Sequence, residues 1–214
     1  IIRSNSHDPE ILGSKFITRF IDEIKKRELD ISIYYESFCL PSRRFIDELS
    51  TKFEHVGIGL SPESGLEETR KRIGKNFSNN ELLRSVEYIS SKGFEIACFF
   101  SFGMPGEGYE GLHAFKSLAD KLLKKGARVI PPFPYTIDPN CLMAVRSDYY
   151  GVKLILKYFE DYIRACSSEI PLDWIGHETN ELKRWEILYI TNSARNYILN
   201  LEKENHNNRV KVFR

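Results

Sequence analysis

Two short apolar runs, 55–60 and 94–102, each end in a turn built from Gly, Pro and a carboxylate, and this repeat narrows the folds open to the chain more than any other feature. Val56, Ile58 and Leu60 lead into Ser61-Pro62-Glu63-Ser64-Gly65, and the run from Phe94 to Phe102 leads into Gly103-Met104-Pro105-Gly106-Glu107. Runs rich in Val, Ile and Phe that stop at Gly and Pro are strands handing their C-terminal ends to polar turns. Helical patterns between and after them close on Lys92-Gly93 and Lys125-Gly126, 33 residues apart, and each closure feeds an apolar run. That rhythm of helix, Gly cap, strand and polar turn belongs to α/β proteins with parallel strands, which keep their ligand sites at the C-terminal strand ends.

The remaining elements follow in order. Ile1 to Asn5 reads as the end of a strand. A helix over 9–28 opens on Asp8 and Pro9 and carries Ile11, Phe16, Phe20, Ile21 and Ile24 at helical spacing. Ile31, Ile33 and Tyr35 alternate with polar neighbours as a strand, and 41–53 is a helix with Phe45, Leu49 and Phe53 on one face. Ser61-Pro62-Glu63 starts a helix by a cap-plus-proline device, with Ser64 and Glu67 as a second capping option, and Gly74 ends it. Ser78 and Glu81 form a capping box for a helix to Lys92, and another helix spans 109–125 before the strand 127–130. From Pro131 the prolines mark an extended connection, followed by helices over 147–165 and 181–203 and a polar tail, 202–208, expected to fray. Five strands by Ile130 are too few to close an eight-fold barrel, which needs about 250 residues. The expected architecture is therefore α/β: a partial (β/α) barrel of parallel strands over 1–136, then a helical extension over 137–214.

Composition excludes several function classes. A formal net charge of +1, with basic and acidic residues interspersed, leaves no footprint for nucleic acid or an anionic membrane. No apolar run approaches the roughly 20 residues needed to cross a bilayer, and the polar start is unlike a secretory signal, so the cytoplasm is expected. Cysteines 39, 98, 141 and 166 lie too far apart in sequence for a ligand cluster, so no metal site is expected. Cys98 and Cys166 read as small core hydrophobes, and Cys39 and Cys141 fall near loops.

Glu63 admits two readings: a first-turn carboxylate complementing a helix dipole, or an acceptor for a ribose hydroxyl or an amino group at a strand end. The turn from Gly103 to Glu107 either cradles an anionic group with its backbone amides or is simply tight. The helix from Glu67 to Arg72 alternates in charge sign, as a solvated face does. His55, His113 and His177 stand isolated and read as structural. Phe99, Phe100 and Phe102 are core residues, or line a cavity.

The residues Ile58-Gly59-Leu60, Glu63-Ser64-Gly65, Thr69, Arg72-Ile73-Gly74-Lys75 and Gly103-Met104-Pro105-Gly106-Glu107 together resemble the later strands of radical S-adenosylmethionine enzymes, in particular the group carrying a cobalamin-binding domain. Pro134-Tyr135, Asp138-Pro139, Tyr150-Gly151 and His177-Glu178-Thr179 are similar to that group's segment after the barrel. The resemblance implies an enzyme that cleaves S-adenosylmethionine reductively to start radical chemistry, with cobalamin-dependent methyl transfer as an extension. It implies Glu63, Ser64, Gly103, Gly106 and Glu107 as cofactor-binding positions and an unspecified small-molecule substrate; it identifies no catalytic residue. The family's [4Fe-4S] cluster is held by Cys-x3-Cys-x2-Cys, which these 214 residues lack, as they lack the cobalamin motif Asp-x-His-x2-Gly. The expectation is a fragment that is inactive alone, whose partner is the missing N-terminal part of the same enzyme. Cut from its opening strands, it is expected to bare apolar residues such as Ile33, Ile58 and Phe100. The alternative is a non-catalytic or degenerate α/β scaffold or binding domain.

Overall fold

A computed structural model describes the backbone of residues 2–4, 14–28 and 31–212 and the side chains of 15–28 and 31–203. Five strands, β1 (Ile2–Ser4), β2 (Ile33–Ser37), β3 (Val56–Glu63), β4 (Glu95–Phe102) and β5 (Arg128–Val129), stand side by side in chain order, and β6 (Phe133–Pro134) also pairs with β4. The pairings of β1 with β2, β2 with β3, and β4 with β5 and β6 are all parallel. Helices α1 (Ser14–Lys26), α2 (Arg43–Lys52), α3 (Glu67–Arg72), α4 (Asn79–Ser91) and α5 (Glu110–Lys124) fill the crossovers. The class is mixed α/β with a parallel sheet and a helical C-terminus; no pairing among the described residues returns β5 to β1.

Local chemistry accounts for these boundaries. Ser42 caps α2 by accepting from the Phe45 amide at 3.2 Å, and Ser78 with Glu81 closes a reciprocal capping box on α4. Gly93 and Gly126, at φ +77° and +89°, turn the chain left-handed after α4 and α5, a conformation glycine adopts without steric penalty. The start expected for α1 at Asp8 and Pro9, and Ile1 and Asn5 of the first strand, lie outside the described residues.

Alternation along the strands sets the two faces of the sheet. Ile96, Cys98, Phe100 and Phe102 are buried, whereas Ala97, Phe99 and Ser101 between them are half-exposed. Phe100 and Phe102 meet the ring of Phe115 on α5 edge-on, at 5.1 and 5.5 Å, and Tyr35 meets Phe45 of α2 likewise at 5.1 Å. Phe100 is therefore covered by α5, Ile58 is fully buried, and Ile33 is half-buried, which corrects the expectation of an opened apolar interior. Opposite them, Gly57 and Gly59 lie under Tyr34: a Cβ at either position would stand 2.7 Å from its ring or hydroxyl.

The chain forms two compact units, each assembled from several segments: Ile1–Pro62, Arg70–Phe99 and Leu118–Ile130 in the first, and Glu63–Thr69, Phe100–Ser117 and Pro131–Arg214 in the second. The boundary expected at 136/137 falls inside the second unit. Ile21, Ile46, Ile58, Leu82 and Ile89 anchor the first core; Phe102, Met104, Phe115, Ile175, Ile187 and Ile190 anchor the second.

Three elements differ from expectation. Residues 61–63 extend β3 instead of starting a helix; Pro62 lies two residues past the last pairing with β2, at Leu60, so its missing N–H removes no bond from that ladder. The helix expected over 147–165 is divided into α7 (Ser147–Tyr150) and α8 (Phe159–Ser167), after the short α6 (Leu142–Val145). Gly151 at φ +68° stops α7, and β7 (Val152–Leu154) then pairs antiparallel with β8 (His177–Thr179). A 3-10 turn, Pro171–Trp174, precedes β8, and α9 runs from Arg184 to Val212, through the tail expected to fray; no Gly or Pro interrupts it. Cys98 is buried as expected, but Cys166 is exposed on α8 rather than in the core. Among the described residues, no helix is long and apolar enough to cross a membrane.

Candidate functional site

The polar groups of the second unit converge where β3 and β4 end. Glu63, the last residue of β3, has φ +65°, a left-handed conformation that is costly for a side chain with a Cβ. It is not in a helix, so the reading of its carboxylate as a first-turn dipole partner does not apply. Its half-exposed side chain accepts a hydrogen bond from the Ser101 hydroxyl on β4 at 2.5 Å. Tyr135 is held by its amide on the Phe102 carbonyl at 2.7 Å, and burial first and then the Glu63 charge push its phenol up to about 12. One strained carboxylate, one hydroxyl and one protonated phenol thus come together from three separate segments.

Beneath them a buried layer fixes the turns. Ser64 and Glu107 are both buried, and the Ser64 hydroxyl donates to Glu107 Oε1 while accepting from the Leu66 amide at 3.0 Å. Glu107 Oε2 has no hydrogen-bond partner. Burial raises the Glu107 carboxyl to about 8; Ser64 draws it down, the Glu110 charge raises it, and the Gly103 amide draws it down. Gly111 makes room for this group, since a Cβ there would lie 2.6 Å from Glu107 Cγ. Gly65 presses on the backbone of α5, where a Cβ would meet the Phe115 nitrogen at 2.5 Å.

The turn from Gly103 to Glu107 is held from the other side by the C-terminal segment. His177 on β8 is buried and its Nε2 lies 2.6 Å from the Gly103 carbonyl, so that nitrogen carries the proton. Its Nδ1 has no partner, and burial keeps the ring below its ordinary pKa. The Gly106 amide donates to Glu181 at 3.1 Å, and Gly103, at φ +98°, packs so closely on Ile187 that a Cβ would sit 2.8 Å away.

All five positions expected to bind cofactor therefore lie in this unit, in two roles: the Glu63 side chain is half-exposed and held by Ser101, whereas Ser64 and Glu107 are buried and bonded to each other. Ser101 and Tyr135 were not singled out as site residues. The only signal for Ser101 is a hydroxyl interrupting an otherwise apolar strand, and for Tyr135 its place in the proline-rich connection. Among the described residues, no three His, Cys, Asp or Glu side chains gather as a metal would require, and the buried Cys98 thiol is pushed up to about 12. These cysteines do not fit an iron–sulfur cluster. A half-exposed carboxylate at a strand end does fit S-adenosylmethionine, whose ribose hydroxyls and amino group are donors. Compared with known proteins, the chain matches no protein-family model and no curated protein.

Proposed function

We propose that the chain is the later-strand part of a radical S-adenosylmethionine catalytic domain, a partial (β/α) barrel of the group that also uses cobalamin, working in the cytoplasm on a small molecule. The observation that carries this reading is Glu63, held left-handed at the end of β3 and bound to Ser101 at the end of β4, where parallel α/β sheets bind ligands. When bound, S-adenosylmethionine supplies a sulfonium whose reductive cleavage begins the chemistry. The Glu63 carboxylate accepts hydrogen bonds from the ligand, and Ser101 fixes its rotamer. Ser64 and Glu107 position the two turns from below, while Gly103 and Gly106 let the turn backbone approach the ligand. The iron–sulfur cluster and cobalamin are assigned to no residue of this chain.

A second reading, a non-catalytic α/β scaffold, draws support from the burial of Ser64 and Glu107, whose hydrogen bond ties the two turns together without any ligand. Calorimetric titration with S-adenosylmethionine separates the two. The first reading expects saturable heat that Glu63→Gln weakens by about tenfold, the loss of one charge-assisted hydrogen bond, with thermal stability retained. Absence of binding to the folded wild-type chain overturns it in favour of the scaffold.

A further inference from the structure

Away from the strand ends, the second unit contains a cavity of about 450 Å³ between the connection after β6, the middle and end of α8 and the turn before β8. That volume lies within the roughly 300–1,000 Å³ of small-molecule sites. Ile137, Leu156 and Ala165 line it with apolar side chains, and the aromatic residues Tyr162 and Trp174 line it beside them. The polar ends of both rings are already engaged: the Trp174 indole N–H donates to the Ser168 carbonyl at 2.9 Å and the Tyr162 hydroxyl to the Leu156 carbonyl at 3.3 Å. With those polar ends engaged, each ring has its π-system left to offer a ligand.

Asp138 is the one charged residue among those that line the cavity; Arg184, near Trp174, is engaged by the Leu172 carbonyl and Asp173. Asp138 lines it with an exposed carboxylate, and no basic side chain among the described residues pairs with that carboxylate. On α8, Asp161 is bound to Arg164 and caps the Lys157 and Tyr158 amides, so Arg164 is engaged there rather than with Asp138. Burial and then the Asp138 charge raise the Tyr162 phenol, as expected of a ring in an anionic surrounding. Aromatic faces beside an uncompensated carboxylate, over an apolar floor, attract organic cations through the ring quadrupole and the charge together.

We propose that this cavity binds a small organic ammonium ion with an apolar body, its cationic head against Asp138 and the faces of Tyr162 and Trp174 and its hydrocarbon part on Ile137 and Leu156. The site is independent of the S-adenosylmethionine reading.

The test uses benzyltrimethylammonium as probe and benzyl alcohol as its uncharged counterpart, with the full chain carrying Trp185→Phe so that Trp174 alone reports by fluorescence. The cation is expected to quench Trp174 saturably, and benzyl alcohol to bind at least about tenfold more weakly, the size of a desolvated cation–aromatic interaction. Asp138→Asn, a surface change that leaves the fold intact by circular dichroism, is expected to remove most of that preference. Trp174→Leu, followed by calorimetry, is expected to weaken the cation more than the alcohol. Equal binding of both probes, insensitive to Asp138→Asn, would mean an apolar cavity for a neutral ligand or a hydrophobic peptide and would overturn the proposal, as would the absence of saturable quenching.

Discussion

The Ser64 hydroxyl, just after β3, donates to the Glu107 carboxyl, just after β4, and joins turns 43 residues apart in sequence inside a buried pocket. Ser64→Ala would leave both oxygens of Glu107 buried without a side-chain partner, which costs about 1–3 kcal/mol. Glu107→Gln keeps the shape and the acceptor, so its loss is expected to be smaller. Urea denaturation of the two variants checks the order; a harmless Ser64→Ala would show that the bond contributes nothing to stability.

Glu107 also gives stability a pH dependence of unusual sign. Its carboxyl titrates near 4.5 when unfolded and at about 8 when folded. Between those values the unfolded chain has released the proton while the folded chain keeps it, so stability falls as pH rises through this window and levels off above it. The slope of one such group reaches about 1.4 kcal/mol per pH unit. Glu107→Gln is expected to flatten the decline between pH 6.5 and 8 in denaturation midpoints, and an unchanged curve would remove Glu107 as its cause.

His177 works in the opposite direction. Burial holds its ring below the ordinary 6.5, so the unfolded chain takes up a proton first as pH falls, and stability is lost below that value. The slopes from Glu107 and His177 oppose each other in acid, and Glu107→Gln is expected to expose the histidine's part as a decline below pH 6.5. His177→Leu would strand the Gly103 carbonyl at a cost of about 1–3 kcal/mol, whereas His177→Gln, which can still donate, should recover part of it. Thermal melts that rank Leu and Gln alike would argue against the hydrogen bond.

The architecture was legible because its signals are local: Lys92-Gly93 and Lys125-Gly126 cap helices, and Ser78 with Glu81 closes a capping box within four residues. Where long-range pairing decides, local signals mislead. Ser61-Pro62-Glu63 carries every mark of a helix start, yet it continues β3, and Val152–Leu154 pairs with a strand 25 residues on. The strand-end turns are legible as a pair, but their division into a half-exposed carboxylate and a buried hydrogen bond depends on which way Glu63 and Ser64 turn, and adjacent residues in sequence do not encode that. Arg70 is the clearest omission. It sits in a helix whose alternating charge reads as solvated, but it is fully buried and donates to the Phe77 carbonyl and Asn79.

Gly65 makes the steric demand of the site testable. Its Cα faces the first turns of α5 so closely that an added Cβ would lie 2.5 Å from the Phe115 nitrogen and 2.6 and 2.9 Å from the Ala114 carbonyl carbon and oxygen. These are backbone atoms inside a helix, so no rotamer change relieves the contact. The adjacent Phe115 ring is fully buried, which prevents α5 from backing away. Gly65→Ala is therefore expected to cost about 3 kcal/mol, the upper range for overpacking, and to weaken the Ser64–Glu107 bond along with it. Gly74→Ala serves as the control: nothing lies within 4 Å of its added Cβ, so its cost, from φ +85°, is expected to be about 1–2 kcal/mol. If denaturation shows the two variants equally stable, the close approach of Gly65 to α5 does not exist in solution.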